Sequence, residues 1–178
     1  MRMKSLFVLL MLCVSLGAGA VDIQDTFFGY KIGCSLNLTQ MQRKIGLTQD
    51  VFSYVEKASE SKFLHLSKAM LGGVRWDDVS VRMLVKGRKF FSIDFSNHFE
   101  DEGEAYEFYD LMKERLESKY GEPVVLVNGY GWTGDNRVCV SLEKIYERSN
   151  GGDLYWYIIL DYFDMDSVVE ATSYMDEL

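Results

Sequence analysis

His65 and His98 are the only imidazoles in this 178-residue chain, so a Ser-His-Asp or Cys-His arrangement has to be built on one of them. His98 opens the run His98-Phe99-Glu100-Asp101-Glu102, which sets one imidazole beside carboxylates and offers ligand types for a divalent cation. The same acids suit a helix start, where carboxylates cap free N–H groups and face the positive end of the dipole. The helix start accounts for every residue of the run, so no metal site is expected. His65 lies among apolar residues, and neither histidine sits near a G-x-S-x-G nucleophile turn. Asp161, Asp164 and Asp166 are closely spaced, but the glycine and distal glutamate of an EF-hand loop are missing. No catalytic residue and no cofactor is assigned on these grounds.

Gly129-Tyr130-Gly131-Trp132-Thr133-Gly134 has the composition of a recognition loop, with rigid aromatic area on a flexible glycine backbone. Tyr130 and Trp132 are therefore the candidate binding residues, for a protein or a glycan. The competing reading is a bulged hairpin with Trp132 folded onto the core. Tyr155, Trp156, Tyr157 and Tyr162 are read as sheet residues, because aromatics favour strands.

The first twenty residues carry Arg2 and Lys4, an apolar run from Leu6 to Leu16 and the small-residue site Ala18-Gly19-Ala20. This is the pattern of a secretory signal peptide, and it predicts a secreted or periplasmic protein. The run is shorter than the ~20 apolar residues of a spanning helix, so no membrane insertion is expected after cleavage. Leu12 before Cys13 departs from a lipid-attachment site. Cleavage removes two of the 19 basic residues and none of the 27 acidic ones, which takes the net charge from −8 to −10. Such a surface repels nucleic acid, which is excluded as a partner. Cys34 and Cys139 remain as a candidate disulfide in an oxidising compartment, against the alternative of two separate buried thiols. Asn37-Leu38-Thr39 is a glycosylation sequon with meaning only in a eukaryotic secretory route, and the final Met-Asp-Glu-Leu is similar to an ER-retention signal.

Residues 21–178 carry no Pro-, Gly- or Ser-rich linker and predict a single domain. A strand is expected at Phe27–Ile32 and a short helix at 38–45, capped by Asn37 and striped by Leu38, Met41 and Ile45. From 51 to 95 the chain reads as strands, clearest where Val79, Val81, Met83 and Val85 alternate and again at Phe91, Ile93 and Phe95. One of these strands ends near Gly72-Gly73, and Lys86-Gly87 is expected to form a two-residue hairpin link. A long helix over 102–120 has an Asp101/Glu104 capping pair, an apolar stripe and a Gly121/Pro123 stop. Strands follow at 124–127, 138–146 and 154–163, the last two joined through Ser149–Gly152, and a frayed helix is expected over 167–178. The fold class is α+β: a mainly antiparallel sheet with a short N-terminal helix and one long helix packed on one face.

The opening FFGYKIGCSLNLTQMQRKI, with KYGEP closing the long helix, resembles small secreted or periplasmic uncharacterised proteins of anaerobic Gram-negative bacteria. The opening is also similar to that of the β-lactamase-inhibitor-like fold and of the outer-membrane assembly lipoprotein. The resemblance implies a non-catalytic envelope or binding role and carries over no site residue. The leading expectation is thus a secreted or periplasmic non-enzymatic domain that binds a protein or a glycan. The alternatives are a small secreted hydrolase or metal-dependent enzyme using His98 with nearby carboxylates such as Asp94 or Glu100, and a structural envelope component.

Overall fold

The computed structural model describes residues 21–58, 61–149 and 151–167. The signal segment, most of the expected C-terminal helix, the terminal tetrapeptide and Cys13 lie outside these residues. In chain order the elements are β1 (Thr26–Phe27), β2 (Tyr30–Lys31), α1 (Leu38–Gly46), β3 (Phe52–Ala58), β4 (Ser61–Leu71), β5 (Val74–Leu84), β6 (Phe90–Phe99), α2 (Glu102–Tyr120), β7 (Val124–Leu126), β8 (Gly129–Thr133), β9 (Val138–Arg148) and β10 (Leu154–Asp164).

β3 to β10 form one antiparallel sheet in the order β3-β4-β5-β6-β10-β9-β8-β7. Each half is a helix followed by a four-stranded meander, and the last strand of each meander, β6 and β10, pair at the centre. α2 is the single long connection. It carries the chain from the central strand β6 to the far edge strand β7, a span that a short turn cannot cover.

The period-2 alternation places one row of apolar residues from each strand on the helix-covered face. Across the sheet Leu66, Val79, Phe95, Leu160, Leu142 and Tyr130 stand in register. The adjacent row runs Leu64, Val81, Ile93, Tyr162, Val140, Trp132. Met41 and Ile45 of α1 and Met112 and Leu116 of α2 belong to the same buried cluster, so both helices cover this face. The cap at Asp101 forms, its side chain accepting from the Glu104 N–H at 2.9 Å, and Asn37 caps α1 through the Gln40 N–H at 3.2 Å.

Three local expectations are corrected. The strand expected at Phe27–Ile32 is interrupted by a tight turn at Phe28-Gly29, both with positive φ, which folds β1 back on β2. The link after β5 is longer than two residues: a single 3₁₀ turn spans Lys86–Arg88, with Gly87 at φ 73° and Arg88 at φ 53°. Gly129–Thr133 is strand β8 rather than a loop.

Candidate functional site

That third correction moves the candidate site. In β8 Tyr130 and Trp132 point to the helix-covered face while Gly129 and Gly131 face the other way. Trp132 is 3 % exposed, and its Nε1 donates to the Gly121 carbonyl at 2.8 Å, tying β8 to the C-terminal end of α2. Tyr130 is half-buried under Lys113, whose Nζ lies 4.5 Å from the ring centroid, and beside Tyr109 at 6.1 Å. Neither forms a recognition loop, and the folded-back reading of Trp132 is the one observed. Gly129 has a packing reason. A Cβ on Gly129 would collide with the Leu142 carbonyl oxygen, so only glycine lets β8 approach β9 here.

Cys34 is exposed beyond β2 and Cys139 is buried in β9, and both are free thiols, so the candidate disulfide is not formed. Burial pushes the Cys139 thiol up, more than its contact with the Thr133 hydroxyl pulls it down. Cys34 is therefore expected to be alkylated in the native protein and Cys139 only after unfolding, which mass spectrometry of iodoacetamide-treated protein reads directly. Absence of label on both cysteines even in denaturant would contradict this.

His98 does not sit with Asp94 or Glu100. Its Nδ1 pairs with Asp77 Oδ2 at 2.9 Å, and the same oxygen accepts from the His98 N–H at 3.1 Å. Asn97, nearly buried, holds this corner by accepting from the Asp77 N–H and donating to the Arg75 carbonyl. The arrangement orients an imidazole, but both partners are well exposed, with 54 % and 41 % of the side chains open to solvent. Among the described residues no group of three or more His, Cys, Asp or Glu is placed to hold a metal ion.

The distinctive site is the face of the sheet that, among the described residues, no helix covers. Its rows are the polar half of the alternation: Tyr54, His65, Ser80, Asp94, Asp161 and Ser141 stand in register from β3 to β9. Next to them Phe63 faces Arg82, which faces Ser92. A groove of about 390 Å³ opens over β3 to β6, within the range of ordinary ligand pockets. One wall is aromatic. Tyr54 stacks on His65 at 4.7 Å between centroids, Phe63 also stacks on His65 at 6.0 Å, and Phe52 leans on Tyr54 at 6.0 Å.

The floor is an ion cluster. Arg82 Nη2 meets Asp94 Oδ1 at 2.7 Å, while Asp161 stands directly across the sheet from Asp94. Burial pulls the Arg82 guanidinium down, and the charges of Asp94 and Asp161 more than offset this, leaving it above its ordinary value. The guanidinium also lies 5.9 Å from the Phe63 ring centroid, so the floor is locked to the aromatic wall.

No protein-family model matches this chain, and no curated protein or solved structure matches it either. The site is therefore interpreted on its own geometry. Sequence reasoning missed it because it followed the apolar half of each strand. The signal was present in the other half, where Ser80 and Arg82 alternate with the valines of β5, and Asp94, Ser96 and His98 with the apolar residues of β6.

Proposed function

We propose that this protein is an exported, non-enzymatic binding module, secreted or periplasmic, whose contact surface is the uncovered face of its sheet around the β3–β6 groove. The observation that carries this reading is the exposure of large aromatic side chains on a sheet face that no helix covers among the described residues, with Phe52 71 % and Tyr54 48 % exposed. A rigid sheet that displays stacked aromatics beside a fixed ion cluster supplies contact area at small entropic cost, which suits a protein or glycan partner. The signal-like N-terminal segment and the envelope-protein resemblance of the opening favour the same role.

The test is affinity capture from the host's own envelope fraction and surface glycans, using the exported protein and two double variants. Phe52→Ser/Tyr54→Ser removes the β3 half of the aromatic wall, and Val125→Ser/Val127→Ser alters the opposite edge of the sheet. Partner capture is expected with the wild type and the edge variant and is expected to be lost with the wall variant. Capture that survives in the wall variant would overturn the assignment of this face.

A further inference from the structure

We infer that β3 is a self-association edge, to which a second copy of this chain adds its own β3, antiparallel about a two-fold axis through Val55. The inference goes beyond the binding role proposed above and does not depend on it. The eight-stranded sheet ends in β3 on one side and β7 on the other, and the two ends differ. β7 is three residues long, and so short an edge gives a passing strand little to pair with. β3 has seven residues, without proline and in unbroken register with β4. At its middle Val55 is 43 % exposed.

The ladder determines which backbone groups of β3 are open. Ala58 and Ser61 pair across a two-residue link, and the residues flanking such a link form a hydrogen-bonded pair. Bonded and non-bonded pairs alternate, so Phe52, Tyr54 and Glu56 direct their backbone bonds to β4, while Ser53, Val55 and Lys57 turn theirs to the open side. Ser53 shows that direction, because its carbonyl accepts from Gln42 Nε2 of α1 at 3.2 Å. Among the described residues nothing bonds the N–H or C=O of Val55 or Lys57 from that side.

A second copy fits this edge. Opposite residues of an antiparallel pair share a face, so a two-fold axis normal to the sheet has to pass through a residue. With the axis at Val55 the whole of 52–58 is paired. Val55 then exchanges both backbone bonds with the partner's Val55, and Ser53 does so with the partner's Lys57, its carbonyl using the second lone pair. On the helix-covered face valine meets valine and Lys57 meets serine, and on the other face Glu56 meets tyrosine. No like charges stand opposite each other. An axis at Glu56 would set two carboxylates face to face, and one at Tyr54 would pair only 52–56. Because the axis is normal to the sheet, both β3–β6 grooves open on the same face of the dimer, a bivalent arrangement.

The test is sedimentation velocity of the exported protein over a concentration series, with Val55→Pro, Val55→Lys and Val55→Asp as variants. The wild type is expected to show a reversible monomer–dimer equilibrium. Val55→Pro removes an N–H that β4 does not use, and it is expected to weaken the dimer by about tenfold or more while circular dichroism shows the fold retained. Val55→Lys and Val55→Asp keep the backbone donor but set like charges across the axis, so each alone is expected to dimerise more weakly than wild type. An equimolar mixture of the two is expected to associate more tightly than either alone.

A protein that stays monomeric up to about 1 mM, where even weak association shows, would overturn the inference. A dimer indifferent to all three variants would do the same. So would a mixture no tighter than its components, since only an axis at Val55 sets that residue against itself. If Val55→Pro does not fold, the charged pair decides. Val55 does not line the groove, so envelope capture judges the binding role separately.

Discussion

Trp132→Ala is expected to lower the stability of the protein by about 3–5 kcal/mol, the usual cost of truncating a buried tryptophan. The side chain is 3 % exposed and in register with Val140 and Tyr162 at the centre of the core. Its removal opens a cavity between sheet and helix and leaves the Gly121 carbonyl without the indole N–H that now satisfies it. Because Gly121 terminates α2, the loss spreads to the junction that sends the chain into β7. For a domain of this size such a loss lowers the melting temperature by roughly 6–20 °C. Chemical denaturation followed by circular dichroism measures it. A loss below about 1 kcal/mol would mean that Trp132 is not in the core.

Arg82→Met is expected to be comparably destabilising at neutral pH, by about 3–5 kcal/mol, because it leaves two carboxylates facing each other without their shared cation. Asp94 and Asp161 are direct cross-strand neighbours on β6 and β10, and like charges in that position repel. The methionine keeps a flexible unbranched stem to fill much of the space, so packing alone does not explain a loss of this size. The pH dependence identifies the cause. In the variant, repulsion raises the folded-state pKa of the carboxylate pair above its unfolded value, so the penalty is full well above that raised pKa and fades as the pH falls through it. The gap between variant and wild type is therefore expected to narrow between pH 7 and pH 4. A gap independent of pH would assign the loss to packing rather than to charge.

Acid should also act on the wild type. The Asp25 carboxyl lies below its ordinary value: burial raises it, but its bonds to Lys31 at 2.9 Å and to Thr26 pull it down further. A lowered folded pKa contributes stability above the unfolded pKa of about 4, and this contribution is lost as the pH drops through the folded value. The effect is small, since the Lys31 side chain is 60 % exposed. Asp25→Asn is expected to remove a minor part of the acid sensitivity, readable as a shallower fall in stability below pH 4.

What the sequence made legible follows from how locally each element is encoded. The long helix carries its own stripe from Ala105 to Tyr120 within its nineteen helical residues, its own cap directly before them at Asp101 and its own stop directly after them at Gly121, and these determine where it begins and ends. The β5 and β6 strands were visible for the same reason, because Val79, Val81 and Met83 and then Ile93 and Phe95 alternate without interruption. β8 was hidden by its glycines. Their composition suggests a mobile loop, yet at Gly129 the β9 backbone leaves no room for a Cβ, a contact between segments that no local pattern records.

The arrangement of the halves was equally out of reach. Nothing in the residues of β6 or β10 states that these two strands pair with each other, and that long-range pairing is what brings Asp161 to Asp94 and so to Arg82. The groove was legible in part. Its residues are the polar members of alternations whose apolar members identified the strands, but assembling Tyr54, Phe63, His65 and Asp78 into one surface requires the β3-β4-β5 register.

The most direct measurement is hydroxyl-radical footprinting of the protein alone and in the presence of the envelope fraction it is captured from, read residue by residue by mass spectrometry. If the uncovered sheet face is the contact surface, Phe52, Tyr54 and Phe63 lose reactivity in the complex while the exposed Tyr106 on α2 keeps it. Protection of Tyr106 with the β3–β4 aromatics left fully reactive would place the partner on the helical side and contradict the account.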